Sequence, residues 1–367
     1  MGIPKFLSNL NFMARSPLIL AALAKAAVPH LNFHEVKALT TNSTGAFDTG
    51  LLTATSGEHY IIRVANNQTA GAEQEVELRS LKVLGKVDRL RLPFKITNLV
   101  GETKDEKGSR ALVFEFLYGN PTDISSVAAD SGLSRSIAKA ISAIHSLDTS
   151  LVENEHLASF DAAEIMKSRV AELDRFASTG KVPAVLLSRW EQALEDTSLF
   201  RFKPTVVHGG LNSETVLSLD EEVSGILSWS TLRVSDPAED FAWILGAGIH
   251  ELSESITDVY RQSHFNTDDS LRLRATLYSE FEFARWLMFG ISKNDSAIVN
   301  EAVLMLEGLA EDVSSGAVGR LVAKPSIAQP AEAPANSTSL APVPAPSPED
   351  VATRPIELPR DADNELF

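Results

Sequence analysis

Cysteine is absent from the 367-residue sequence, which excludes disulfides, thiolate nucleophiles and cysteine-ligated zinc sites. Long apolar runs are absent too, because residues 17–28 contain Lys25 and fall short of the roughly 20 residues of a membrane-spanning helix. Acidic residues outnumber basic ones by 49 to 33, which gives a net charge of -16. Nucleic acids and anionic membranes bind basic surfaces, so we expect neither as a partner. The lack of cysteine fits a reducing compartment, and we expect a cytoplasmic protein.

The most informative stretch of the sequence is residues 204–243, which read as short strands, polar turns and the start of a helix. Strands that deliver polar residues into a loop are a common way to hold phosphate-handling groups. The predicted segments are an apolar pair at 206–207, a loop at 208–210, a strand at 215–219, an acidic turn at 220–222, a strand at 223–227 and a helix from Pro237 through about Tyr260.

This stretch resembles the aminoglycoside and macrolide phosphotransferase family, the small-molecule branch of the protein-kinase-like fold. The family's loop reads H-G-D-x-x-x-x-N, and its next strand ends I-D-W. His208, Gly209 and Trp229 match these motifs, and residues 236–240 match the family's D-P-A-x-D helix start. The resemblance implies an α+β, two-lobed fold with a β-rich N-lobe and a mainly helical C-lobe, and it implies ATP or GTP as the cofactor.

The same motifs have lost the residues that carry the chemistry. Gly210 stands where the resemblance places the catalytic Asp, which orients the acceptor hydroxyl and accepts its proton. Thr215 replaces the metal-ligand Asn, and Ser228 replaces the metal-binding Asp. Magnesium prefers hard oxygen ligands, usually carboxylates, so we expect no intact magnesium site. The leading interpretation is a catalytically impaired pseudokinase that binds a nucleotide, a small molecule or a protein.

Two alternatives remain open at this point. In the first, Glu214 in the same loop or Asp236 downstream replaces the missing base, and the chain is an active ATP- or GTP-dependent O-phosphotransferase. In the second, the chain is an interaction scaffold that captures a protein partner through its C-terminal tail.

The N-terminal part is predicted to be a β-meander followed by a helix. Strands are predicted at 36–40, 47–55 and 59–64, with turns at polar clusters that contain Gly. Gly45 in the first hairpin is a candidate for a phosphate cradle, although a single Gly favours an ordinary turn. The resemblance makes Arg63 the cation for the nucleotide phosphates and Glu77, on a helix predicted at 70–84, its partner. On the same helix Glu73 and Glu75 are rivals for that role, and a solvated face is the alternative for all three.

The apolar run at 111–117 predicts a buried strand that ends in Gly119-Asn120-Pro121. By resemblance this is the hinge between the lobes, where backbone groups of Glu115, Phe116 and Leu117 would bind adenine.

The C-terminal half is predicted to be helical, with helices at 134–147, 162–177, 184–194, 269–291 and 296–314. A His on an apolar helix face is usually a hydrogen-bonded core residue, so His145 is interpreted as structural. The resemblance places an acceptor pocket among these helices, and the candidate carboxylates for its lining, whose default position is in solvent, are Glu251, Glu254, Glu280 and Glu282.

From about Lys324 onward Pro, Ala and Ser dominate, which predicts a disordered tail because few apolar residues offset the entropy of ordering. The predicted organisation is an N-terminal extension and helix at 1–28, an N-lobe at 29–117, a C-lobe at 118–322 and the tail at 323–367.

Overall fold

The computed structural model describes residues 14–39, 45–87, 91–264 and 268–321, which divide into a sheet-rich N-terminal part and a helical C-terminal part. In these residues the strands are β1 (Phe33–Ala38), β2 (Phe47–Ala54), β3 (His59–Ala65), β4 (Lys95–Ile96), β5 (Leu99–Lys104), β6 (Arg110–Glu115), β7 (Asn120–Pro121), β8 (Thr205–Val207), β9 (Val216–Leu219), β10 (Glu222–Ile226) and β11 (Arg233–Ser235). The helices are α1 (Pro17–Ala27), α2 (Gln68–Gly85), α3 (Gly132–His145), α4 (Thr149–Asn154), α5 (Ala162–Ser178), α6 (Ala184–Glu195), α7 (Ala242–Leu245), α8 (His250–Ser263), α9 (Leu271–Lys293) and α10 (Ser296–Ser315).

The N-terminal sheet is antiparallel, with its strands in the spatial order β1-β2-β3-β6-β5. Side chains of β2 are buried at every second position, as expected for a strand with one face on a core. Helix α1 covers this face, and its Leu20 and Ala24 belong to one buried cluster with Ile62 and Val113. The sheet is therefore rigidly packed on one side and leaves its other side to the cleft.

Helix α2 begins at an N-cap, because the Asn67 side chain accepts a hydrogen bond from the Ala70 N–H. Its buried residues include Gln74, Glu77 and Ser80, which lie three apart and so share one face of the helix. Glu77 is thereby held towards β3, the strand that carries Arg63.

The C-terminal part surrounds two small sheets with helices. One sheet has the order β4-β10-β9-β7, and the other pairs β11 with β8. The loop at 208–215 joins these two sheets, since it leaves β8 and enters β9. Its surroundings form a continuous apolar core whose largest fully buried side chains include Trp190, Trp229, Phe241 and Phe281.

The single helix predicted from Pro237 through about Tyr260 is wrong. The structure has a 3₁₀ turn at Pro237–Phe241, then α7, a non-helical connection and α8. Gly248 in the connection has a φ of +70°, a left-handed conformation that glycine adopts without steric cost and that ends a right-handed helix. The break makes α7 and α8 separate helices.

No helix in the described ranges is long and apolar enough to cross a membrane. The first part of the predicted N-terminal extension (1–13) lies outside the described residues. So do the end of the first predicted strand with most of the turn after it (40–44), and the predicted tail (323–367) with its partner-binding role.

Candidate functional site

A cleft of about 720 Å³ lies where the N-terminal sheet faces the loop at 208–215. Its lining combines the inner face of the sheet, the segment after β6 and both ends of the loop. The lining residues are Thr49, Ile61, Arg63, Glu77, Thr97, Phe114, Glu115, Phe116, Leu117, Gly210, Asn212, Glu214, Thr215, Leu227, Ser228, Ser230 and Thr231. The structure therefore brings together most of the site residues predicted from the sequence, whereas Gly45, His208 and Asp236 are outside this lining.

The ion pair expected between strand and helix is present: Arg63 Nη1 lies 2.8 Å from Glu77 Oε2. The guanidinium also stacks on the ring of Phe47, at 4.3 Å from its centroid. Burial raises the pKa of the Glu77 carboxyl, although Arg63 draws it down. The other two candidate carboxylates on α2 have different partners: Glu75 pairs with Arg110, and Glu73 accepts a hydrogen bond from Ser230.

The segment after β6 uses only some of its backbone donors within the fold. Glu115 N–H donates to Asn98 O at 3.0 Å, and Phe116 N–H donates to His59 O at 3.2 Å. Among the described residues, none accepts a hydrogen bond from the Leu117 N–H. Leu117 is also one of the residues that line the cleft.

Asp240 holds the start of the loop. Its two carboxylate oxygens accept hydrogen bonds from the backbone N–H of His208 at 2.8 Å and of Gly209 at 2.7 Å. His145 Nε2 lies 3.1 Å from the same carboxylate, and its Nδ1 lies 2.8 Å from the hydroxyl of Tyr260. Although burial opposes it, these hydrogen bonds hold the pKa of Asp240 below its usual range. The interpretation of His145 as a hydrogen-bonded core residue is confirmed.

His208, the first residue of the loop, is fully buried. Its Nε2 lies 2.9 Å from the carbonyl oxygen of Leu227, so Nε2 carries the proton and Nδ1 is left as an acceptor. In the described residues no group donates to that buried Nδ1. Burial lowers the pKa of the imidazole, so His208 is neutral near pH 7. Its ring stabilises the loop by packing in the core and by one hydrogen bond.

Gly210 lies against the side chain of Thr231. A Cβ at residue 210 would stand 2.9 Å from Thr231 Oγ1, closer than carbon and oxygen normally approach. That hydroxyl is held in place because it donates to His208 O at 2.8 Å. The surroundings of residue 210 therefore leave no room for a Cβ unless Thr231 moves.

Thr215 and Asn212 stabilise the loop from within. Asn212 N–H donates to Thr215 Oγ1 at 2.9 Å, and Thr215 Oγ1 lies 3.3 Å from Gly210 O. Asn212 Oδ1 in turn accepts hydrogen bonds from the N–H groups of Glu214 and Thr215. The Thr215 hydroxyl is therefore occupied by backbone groups, and the sequence motifs gave no signal for this role of Asn212.

Ser228 has a left-handed backbone, with φ 62° and ψ 60°. Asp and Asn adopt this conformation more readily than Ser, because their short polar side chains bond to the local backbone. The backbone at residue 228 thus has a shape that suits an Asp, while the side chain supplies only a hydroxyl.

Comparison with known proteins identifies the family of the chain. Residues 41–275 match the Phosphotransferase enzyme family, which is more than half of the sequence. The chain belongs to this phosphotransferase family. No curated protein matches the sequence significantly.

Solved structures similar to the chain include phosphotransferases with low sequence identity. A macrolide 2'-phosphotransferase type I is 21% identical, with a TM-score of 0.66 over 79% of this chain and 96% of the other. The macrolide 2'-phosphotransferase from Brachybacterium faecium is 18% identical, with a TM-score of 0.66 over 79% and 98% of the chains. The GDP complex of aminoglycoside 2'-phosphotransferase-IIIa is 14% identical, with a TM-score of 0.67 over 82% and 100%. The predicted α+β, kinase-like fold is confirmed.

The two carboxylates considered as replacements for the phosphotransferase base lie in different surroundings. Glu214 is exposed and lines the cleft. Asp236 is fully buried outside the lining, where it receives hydrogen bonds from Arg274 Nε at 2.7 Å and from the Tyr278 hydroxyl at 2.7 Å. Because its oxygens are occupied by this buried cluster, the structure argues against Asp236 as a replacement base.

Two other groups of predicted site residues also lie away from the cleft. The Gly45 carbonyl accepts a hydrogen bond from Asn66 Nδ2 at 3.1 Å, and Gly45 is not among the cleft residues. Of the four helix carboxylates proposed for an acceptor pocket, Glu280 is buried by Arg189 and Trp190. The other three are exposed, and Glu254 pairs with Arg272 and Glu282 with Arg285, which is the solvated role expected by default.

The residues of the cleft do not suit magnesium. The positions that bind metal in the resembled motif carry only the hydroxyls of Thr215 and Ser228, and the described residues contain no cluster of His, Asp and Glu able to hold a metal ion. Arg63 is the one cation in the described lining, and its pairing with Glu77 is the arrangement that the resemblance assigns to phosphate binding. Residues 40–44, outside the described part, include neither Lys nor Arg.

Proposed function

We propose that this phosphotransferase-family chain is a pseudokinase: it has lost phosphoryl transfer and uses the cleft to bind a small molecule or nucleotide. The observation that carries the proposal is Gly210, a residue without a side chain that is packed against Thr231 at the position of the base. A positioned general base contributes about 10²- to 10⁴-fold to rate. Loss of magnesium coordination at Ser228 and Thr215 removes several kcal/mol more.

The size of these losses supports a binding role over slow catalysis. A combined loss of ~7 kcal/mol lowers a rate by roughly 10⁵. Typical kinase turnover of about 1 to 100 per second would then fall to about one event in tens of minutes to a day. Such a rate is too slow for an enzyme that must modify its substrate in bulk.

The test is a thermal-shift titration with ATP and with GTP, each with magnesium and with EDTA. We expect any stabilisation to be the same in both conditions, because no metal bridges ligand and protein. A ligand at about 100 times its Kd adds about 2.7 kcal/mol of stability, which is easily measured. Stabilisation that requires magnesium contradicts the proposal.

The companion experiment restores the lost groups with Gly210→Asp, Thr215→Asn and Ser228→Asp. Because a Cβ at residue 210 meets Thr231 Oγ1, the triple variant is made with and without Thr231→Ala. The assays measure nucleotide hydrolysis and phosphoryl transfer to a hydroxyl group of an amine or of a macrolide. Activity that appears only in the restored variants supports the proposal. Turnover by the natural sequence overturns it.

One observation favours the competing function, an active O-phosphotransferase: Glu214 is an exposed carboxylate of the same loop that faces the cleft. If Glu214 acts as the base, Glu214→Gln abolishes turnover of the natural sequence. The matched control is Glu222→Gln, an exposed carboxylate on β10 that does not line the cleft. Equal turnover in the two variants removes Glu214 from catalysis.

A further inference from the structure

We infer that α2 and β4, within the described residues 68–87 and 91–96, move with the C-terminal part of the molecule and not with the N-terminal sheet. The Arg63–Glu77 ion pair then lies at the joint between the two moving units. This division goes beyond the proposed function, because it sets how the cleft opens whether or not phosphoryl transfer is lost. It differs from the N-lobe predicted at 29–117, which contains both elements.

Strand pairing attaches β4 to the C-terminal part. β4 runs parallel to β10, with Lys95 opposite Gly225 and Ile96 opposite Ile226. In the described part of the chain this sheet has the order β4-β10-β9-β7 and shares no strand with the N-terminal sheet. The next strand, β5, begins at Leu99 and pairs with β6 in the N-terminal sheet. The chain therefore crosses from one unit to the other between Ile96 and Leu99.

The apolar face of α2 packs in the C-terminal core. Val83 and Leu84 are fully buried in the cluster that also contains Trp229. Phe94, just before β4, stacks on the Trp229 ring with centroids 6.2 Å apart. The separate cluster between α1 and the N-terminal sheet contains no residue of α2, all of which the structure describes. Because segments that share a buried core open together, α2 belongs mechanically to the C-terminal part.

Polar contacts near the end of α2 reach the same part of the molecule. Glu155, which follows α4, lies 2.8 Å from Lys82 Nζ and 2.6 Å from Lys86 Nζ, so both of its carboxylate oxygens are paired. These two ammonium groups lower the pKa of the Glu155 carboxyl to about 2, and the contact therefore stays ionised in mild acid. Arg79 Nη1 also donates to the carbonyl oxygen of His156 at 3.4 Å.

The contacts that join α2 to the N-terminal sheet include three polar ones. Glu77 pairs with Arg63, and Gln74 Nε2 donates to the carbonyl oxygen of Arg63 at 3.3 Å. Glu75 pairs with Arg110 at 3.0 Å, but about half of the Glu75 side chain is exposed. Water can replace such contacts, and exposed ion pairs contribute little to stability. Separation of α2 from the sheet would thus break polar contacts and leave both apolar cores intact.

The test uses pairs of spin labels, which the lack of cysteine makes straightforward. Ala72→Cys on α2, Glu35→Cys on β1 and Asp174→Cys on α5 are combined in pairs, because all three residues are exposed. Arg63→Met then removes the ion pair at the joint. We expect the β1–α2 and β1–α5 distance distributions to broaden and the α2–α5 distribution to stay narrow. Broadening of α2–α5 with an unchanged β1–α2 distribution overturns the inference, and so does the absence of change in all three.

Amide hydrogen exchange in mild urea tests the same division in the natural sequence. We expect the amides of α2 to show protection within about tenfold of those of α3, and to open separately from β2 and β3. Glu155→Gln should speed exchange at the end of α2, whereas the control Glu75→Gln, which removes the exposed pair with Arg110, should not. Opening of α2 together with β2 and β3 overturns the inference. Equal effects of the two variants overturn the part assigned to Glu155.

Discussion

At the scale of single residues, Gly210 packs so closely against Thr231 that a side chain at residue 210 would overlap the Thr231 hydroxyl. Gly210→Ala places a methyl group 2.9 Å from Thr231 Oγ1 and should destabilise the protein by about 1–3 kcal/mol through overpacking. Thr231→Ala should cost about 1 kcal/mol, because its hydrogen bond to His208 O is lost. Since Thr231→Ala also removes the clash, the double variant should cost less than the sum.

Chemical denaturation of the four proteins in this cycle measures the coupling directly. Gly71, in the first turns of α2, meets nothing within 4 Å of its Cβ position and serves as the control for a glycine-to-alanine change. If the losses in free energy of unfolding from the two substitutions are strictly additive, the close packing of Gly210 against Thr231 is contradicted.

The sequence predicted some contacts of single residues and missed others for a physical reason. The Arg63–Glu77 pair followed from the resemblance, because each residue lies at a fixed place on a strand and a helix. The burial of Asp236 by Arg274 did not, because the two are 38 residues apart and meet only when α9 packs on the 3₁₀ turn. The contact of Thr231 with Gly210 likewise depends on backbone geometry that no motif encodes.

At the scale of elements, Arg274 attaches α9 to the turn that follows β11. Arg274 and Asp236 are both fully buried, and Arg274 also pairs with Asp268. Arg274→Met should destabilise the fold by about 3–5 kcal/mol, because it leaves Asp236 as a buried carboxylate without a cation.

Arg272→Met is the matched control on the same helix. Arg272 is partly exposed and pairs with Glu254, which is also exposed, so its loss should cost about 0–1 kcal/mol. Urea unfolding of both variants compares the two costs. Similar losses would contradict the structural role of the buried pair.

The spacing of apolar residues was sufficient to predict some helix boundaries and insufficient for others. Helices α5, α6, α9 and α10 lie within a few residues of their predictions, because apolar residues recur at helical spacing over several turns. The break between α7 and α8 was missed because the apolar pattern continues across Gly248, and only its left-handed backbone reveals the turn. The predicted domain boundaries stay a prediction.

At the scale of the whole molecule, stability should fall as the solution is acidified. Burial lowers the pKa of His208 and of His264, so the unfolded chain binds protons more tightly than the folded one. Their contribution is fully present above the unfolded pKa of about 6.5 and is lost as pH falls through the folded values. The slope approaches about 1.4 kcal/mol per pH unit for each proton taken up.

Melting temperatures measured between pH 8 and pH 5 test this loss of stability. A fall of a few degrees in the melting temperature corresponds to a loss of about 1 kcal/mol in the free energy of unfolding. The lowered pKa of Asp240 has the same sign and adds a further loss at lower pH, since its carboxylate must stay ionised to hold the loop. His264→Asn removes one of the two histidines and should flatten the curve between pH 7 and pH 5. A curve that is flat in the natural sequence would contradict the prediction.

The ring of Trp229 lies 4.6 Å from His208 and 6.2 Å from Phe94, measured between centroids, directly below the residues that line the cleft. Indole emission responds to the polarity of its surroundings and to a neighbouring imidazole when that imidazole gains a proton. The buried Trp229 and Trp190 should emit at shorter wavelength than the exposed Trp286, with the half-buried Trp243 between them. We therefore expect the short-wavelength part of the unlabelled fluorescence to change when a ligand fills the cleft and when His208 gains a proton.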